Sequence, residues 1–245
     1  MARLMLNNNR LSDRDNRPPR PDAAADFRSA PAQRRRWQAF AVLAVAYFMT
    51  IIDLTIVNVA LPTIGRKLHF PESDLQWIVT AYALTFGGFL LLGGRAADLL
   101  GRRRLFMAGL ATFTAASLAC GLATTDGFMI AMRAVQGLGA AVVLPAGLSI
   151  VTNMFEEGAE RNKALGVWGA LGAGGATVGA LAGGLLTRYV GWSYIFFLNV
   201  PLGIVVLSLT RRVVPESRLW TRARRYDPFG ALSITAGLLL GVYTI

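Results

Sequence analysis

A single cysteine, one histidine and two lysines among 245 residues remove several functions at once. Cys120 has no second thiol, so an internal disulfide is excluded, and packing is its default role. His69 stands alone in a short loop between apolar runs, where it is expected to be solvated. No nucleophile–base pair or metal-ligand cluster can be assembled, and Ser149 and Ser193 have no adjacent histidine. The segment Gly172-Ala-Gly174 lacks the third glycine and the preceding strand of a dinucleotide loop. An enzyme, a cofactor and a metal are therefore not expected. Charge is scarce as well: only 16% of residues are charged, and acidic residues number 14 against 25 basic ones.

What remains is apolar. Side chains of this kind make up 54% of the chain and the mean hydropathy is positive, which a soluble domain rarely reaches. Windows of about 20 apolar residues, enough to cross a hydrocarbon core roughly 30 Å thick, fall near 38–61, 75–94, 105–123, 128–150, 164–186 and 192–210. An all-α transmembrane bundle of six spans over 37–210 is predicted. A seventh apolar run, 229–245, has the length of a truncated span.

The net charge of +11 is distributed as a topology signal rather than as a nucleic-acid footprint. Nine basic residues precede Trp37; Arg95 and Arg102 to Arg104 occupy one turn; Arg161 and Lys163 occupy another; six lie between Arg211 and Arg225. A chain that weaves through a bilayer puts these 21 on one side, leaving Arg66, Lys67 and Arg188 opposite and Arg133 inside a span. The positive-inside bias then makes the N-terminus, that first turn and the 211–228 loop cytoplasmic. Residues 1–36, poor in large apolar side chains, are expected to form a disordered tail. Arg34 to Arg36 beside Trp37 would anchor the first span against anionic headgroups.

A shift of 90 residues brings Gly93, Gly94, Gly101, Leu105 and Phe106 onto Gly183, Gly184, Gly191, Ile195 and Phe196. Each set closes the second helix of a three-span unit and opens the third. Three is odd, so the second unit must enter the membrane upside down relative to the first, an inverted 3+3 repeat.

Four segments carry a family resemblance that covers nearly everything after Trp37. The turn with Gly94, Asp98, Gly101, Arg102 and Arg103 resembles the signature between the second and third helices of the major facilitator superfamily. It departs at Ala96, where leucine is usual, and at Leu99, often basic. Asp53-Leu-Thr-Ile-Val-Asn58-Val-Ala-Leu61-Pro62 resembles a segment of drug:proton antiporters, especially the fourteen-helix branch, and Arg133-Ala-Val-Gln136-Gly137-Leu-Gly139 resembles the fourth-helix motif tied to proton coupling. In the fifth span, Gly166, Gly175, Gly179, Gly183 and Gly184 are similar to the glycine pattern of the exporters, with Ala180 where a proline usually follows. Gly175, Gly179 and Gly183 recur every four residues and so form a side-chain-free stripe that admits a neighbouring helix.

Only Asp53 and Arg133 are ionisable residues well inside the spans, and an isolated charge there costs about 2.5–3.5 kcal/mol. They are predicted to share a polar interior. Asp53 lies 16 residues beyond Trp37 on a helix running outward, about 24 Å along the axis. Arg133 is seven residues into a helix running inward from Asp126, about 10 Å from the outer surface. Both then sit at similar depth, with Gln136 on the same face as Arg133. The resemblance implies the N-terminal half of a proton-coupled exporter of amphiphilic molecules in a bacterial inner membrane, with Asp98 reaching toward a second six-helix bundle. That bundle, as a C-terminal half or a second chain, is the expected partner beside lipid, protons and substrate. A metabolite transporter of the same superfamily and a non-transporting membrane fragment are the alternatives.

Overall fold

The structure is a computed structural model that describes residues 30–216, together with Gly237. The expected tail up to residue 29, most of the 211–228 loop and, Gly237 aside, the truncated seventh span lie outside the described residues. Every described element is helical. The helices are α1 (Ala30–Leu68), α2 (Trp77–Leu100), α3 (Arg102–Gly121), α4 (Asp126–Met154), α5 (Ala159–Tyr189) and α6 (Asn199–Val213), with single turns at Glu72–Leu75 and Tyr194–Phe197 leading into α2 and α6. Together they make six stretches long and apolar enough to cross a membrane, the sixth being Tyr194–Val213, turn included. The chain divides at Gln38 into two units, and the packing below is that of the longer one.

Helix ends differ from the predicted spans for local reasons. α1 begins at Ala30, inside the segment expected to be tail, because Pro31 is tolerated in a first turn and Ala, Gln and Arg are good helix formers. It also runs past Leu61 through Pro62 to Leu68. Within a membrane helix the amide missing at such a proline is tolerated, since neighbouring groups re-satisfy the freed carbonyl. α1 then stops at His69, whose φ of 55° is left-handed, with the Phe70 amide donating back to Gly65 O at 3.0 Å. α4 starts where predicted, with Thr125 accepting from the Phe128 amide and Asp126 in the first turn, where a carboxylate suits the helix dipole. Arg211 to Val213, expected to open the basic loop, are the last turn of α6.

The repeat is written into the backbone. Gly101 and Gly191 have φ of 105° and 131°, a conformation that favours glycine, at the corners between α2 and α3 and before α6. Gly93 abuts the Ala141 carbonyl of α4, and Gly183 abuts α1, where a Cβ would lie 2.9 Å from Ile56 O. The second helix of each unit is thus pressed against the first helix of the other. The two corners lie at opposite ends. Arg103 at the start of α3 donates to Val214 O just beyond α6, while Gly121 at the far end of α3 packs on Phe197. α3 and α6 therefore run antiparallel, as the inverted 3+3 repeat requires. Ile56, Ile64, Ile78, Cys120, Met129 and Phe196 fill one apolar cluster of the core.

Candidate functional site

Five helices converge on one carboxylate. Asp53 of α1 is fully buried (0%) and Arg133 of α4 nearly so (1%). Arg133 Nη1 donates to Asp53 Oδ2 at 2.6 Å and to Gln136 Oε1 at 2.6 Å, while its Nε donates to Ile78 O of α2 at 3.0 Å. Gln136 Nε2 donates to Asp53 Oδ1 at 2.8 Å and to Ser117 Oγ of α3 at 2.6 Å. Asn199 Nδ2, from the start of α6, reaches the same two acceptors at 2.9 and 3.2 Å. The Tyr82 ring of α2 lies under the guanidinium, 4.3 Å from its Cζ, a cation–π contact, and the buried Tyr82 hydroxyl has no hydrogen-bond partner among the described residues.

The spacing explains how two helices each supply two groups. Arg133 and Gln136 are three residues apart, as are Ser117 and Cys120, so each pair shares a helix face. Cys120 is more than packing: its thiol lies 3.9 Å from Gln136 Oε1. A charge alone at this depth would be expensive; charge-assisted hydrogen bonds to both carboxylate oxygens offset that cost and fix the geometry.

Of Asp53, Asn58, Arg133 and Gln136, the four residues expected in the proton-coupling or substrate set, the structure brings together Asp53, Arg133 and Gln136 but not Asn58, which is exposed and bonds to Leu54 O of its own helix at 2.7 Å. Ser117, Tyr82 and Asn199 do not stand out in the sequence, because none carries a charge at neutral pH and an uncharged side chain costs little in a span. Asn199 had a usable signal, a lone carboxamide between Phe196-Phe197-Leu198 and Val200-Pro201.

At the α2–α3 corner, Arg102 donates through Nε and Nη2 to Asp98 Oδ1 at 3.1 and 2.9 Å, leaving the Asp98 side chain about one-third exposed. Glu216, also missed, accepts from the Arg103 amide at 3.2 Å and lies 3.6 and 3.7 Å from the guanidinium nitrogens of Arg103 and Arg104. Gly101 offers no side-chain cap, so this distant carboxylate meets one of the unpaired amides at the N-terminus of α3. A Cβ added at Gly94 would meet Pro145 at 3.4 Å, an ordinary contact distance.

In α5, Gly175, Gly179 and Gly183 face Ile51, Thr55 and Ile56 of α1 so closely that a Cβ would collide at each. Gly166 and Gly184 have open space instead and do not belong to that contact.

The family-level match covers residues 43–243 and is to the Major Facilitator Superfamily. The chain belongs to that superfamily. Among its relatives in the superfamily are the puromycin resistance protein of Streptomyces alboniger, 44% identical over 228 residues (91% of this chain, 45% of that protein), and the cephamycin export protein of Amycolatopsis lactamdurans, 44% identical over 204 residues (82% and 42%). The chain spans a little under half the length of these two relatives. A crystal structure of tetrameric PepTSo2 shares the fold, with a TM-score of 0.62, 16% identity and coverage of 86% of this chain and 49% of that one. As a member of this superfamily with six membrane-length helices, the chain is a multi-pass membrane protein.

Proposed function

We propose that this chain is the N-terminal half of a proton-coupled exporter of amphiphilic, drug-like molecules, oriented in a bacterial inner membrane with its N-terminus in the cytoplasm. The observation that carries the proposal is the buried Asp53, the sole carboxylate among the hydrogen-bonded groups that link α1, α2, α3, α4 and α6. The relatives named for puromycin resistance and cephamycin export support efflux of small organic compounds. The clustered arginines at the α2–α3 corner support the orientation.

A proton arriving at Asp53 cancels the charge that Arg133 balances. Placed on Oδ2, it would also set a donor against the Arg133 donor. Arg133 then keeps Gln136 Oε1 and Ile78 O while Asp53 Oδ1 still accepts from Gln136 and Asn199, so α1 loses its ion pair to α4 but keeps its neutral hydrogen bonds. Loss of the proton restores the ion pair and with it the full α1–α4 link. Rocking that changes hydration around the pair couples this exchange to movement of cargo. The second half supplies the other wall of the cavity, and the partly exposed Asp98 is the group on this half that engages it.

The test is substrate uptake into inside-out vesicles carrying the chain with its second half, driven by an imposed pH gradient. Asp53→Asn should abolish or sharply reduce that uptake while membrane insertion is retained. Undiminished pH-driven uptake would remove Asp53 from the coupling role.

A further inference from the structure

Away from the Asp53 network, α3 and α6 leave an open groove of about 410 Å³ lined by Met107, Ala108, Ala111, Ile204, Leu207, Ser208 and Arg211. Its walls are two helical stripes. On α6, Ile204, Leu207, Ser208 and Arg211 follow a three-to-four-residue spacing; on α3, Ala108 and Ala111 do the same, and Arg104, one turn before Ala108 on the same face, lies just beyond the lining. Because the helices are antiparallel, both stripes end in an arginine at one end, the end where Arg103 meets Val214. The alanines keep the groove open, and Ser208 donates to Ile204 O at 2.8 Å, so its hydroxyl makes no demand on an occupant.

Charge at the mouth is unbalanced. Arg211 has no ion pair among the described residues, and Arg104 is 69% exposed. The nearby carboxylate, Glu216, lies beside Arg103 and Arg104 together, so it cannot neutralise both. An apolar trough within the membrane-spanning part of two helices, with uncompensated cations where those helices leave it, matches a lipid with an anionic head and an acyl chain.

We propose that the α3–α6 groove is a seat for one anionic phospholipid, its phosphate held between Arg104 and Arg211 and one acyl chain laid along Met107, Ala111, Ile204 and Leu207. A second copy of the chain would need a complementary anionic edge. A free phosphate would leave the apolar trough unused.

The experiment is native mass spectrometry of the full chain in detergent, titrated with phosphatidylglycerol or with phosphatidylcholine of matched chains. Preferential retention of one phosphatidylglycerol is expected. Arg104→Gln and Arg211→Gln should each weaken it about fivefold, with phosphatidylcholine unaffected. Arg211→Lys should retain the preference, which separates lost charge from lost folding. Ala111→Trp should block the seat without altering charge. Photoactivatable phosphatidylglycerol should label α3 and α6 peptides, and millimolar inorganic phosphate should not displace the lipid. Equal retention of both lipids, an unchanged preference in the Arg104→Gln/Arg211→Gln double variant, label spread evenly over all helices, or displacement by phosphate alone would each overturn the assignment.

Discussion

Arg133 Nη1 stands 2.6 Å from Asp53 Oδ2 across 80 residues of chain, and neither side chain has meaningful contact with solvent. Such a pair punishes the loss of one member more than the loss of both. Arg133→Met should destabilise the bundle by about 3–5 kcal/mol, because the carboxylate is left buried and uncompensated. The Asp53→Asn/Arg133→Met double variant should recover much of that loss. Cys120, the sole and fully buried thiol, is the reporter: its reaction with a maleimide dye on heating gives the melting temperature of each variant. Equal losses for the single and double variants would mean that the two charges do not stabilise one another.

The corner glycines offer a matched pair. Gly101→Ala and Gly191→Ala should each cost about 1–3 kcal/mol, since both impose a side chain on a left-handed backbone. The same melting assay checks this. Tolerance at one corner and loss at the other would show that the backbone there can relax.

Position in α5 decides the cost of filling a glycine. Gly179→Leu drives a side chain into Thr55 and the Ile52 carbonyl and should lower stability by about 1–3 kcal/mol or more. Gly184→Ala meets open space and should be neutral or stabilise by up to about 1 kcal/mol through helix propensity. Detergent-solubilised variants compared by thermal melting test the contrast.

Glu216 acts as a long-range cap for α3. Glu216→Ala should free the Arg103 amide and loosen the corner by about 1 kcal/mol, close to the worth of an ordinary cap. Trypsin cleavage after Arg102, Arg103 or Arg104 should quicken about fivefold while global melting barely moves. Unchanged cleavage would show that the corner is held by Asp98 and Arg102 alone.

Much of this was legible in the residues. The six spans were visible because apolar runs of membrane length have few competing explanations, and Asp53 with Arg133 stood out because charge inside such runs is costly. Helix ends were less legible, since hydropathy marks where a chain is apolar and not where its backbone stops being helical; Pro62 lies inside α1 for that reason. Asn58 shows a second limit. It is five residues from Asp53, about 140° around the helix, so nearness along the motif did not place it on the same face. Ser117 and Asn199 are neutral and cost too little in a span to attract notice, yet Asn199 bonds the carboxylate and Ser117 holds Gln136 and Asn199 beside it.

The two corners share a backbone conformation but not a composition: Gly101 is followed by three arginines, whereas Gly191 is followed by Trp192, Ser193 and Tyr194. During synthesis this difference has a use that packing does not reveal. Two three-helix units of similar shape and no charge bias would be free to enter the bilayer in either sense, giving a mixture of oppositely oriented insertions. Basic residues held at one corner break that tie before the helices have met, so each nascent chain commits to one orientation and the halves of the repeat arrive already opposed.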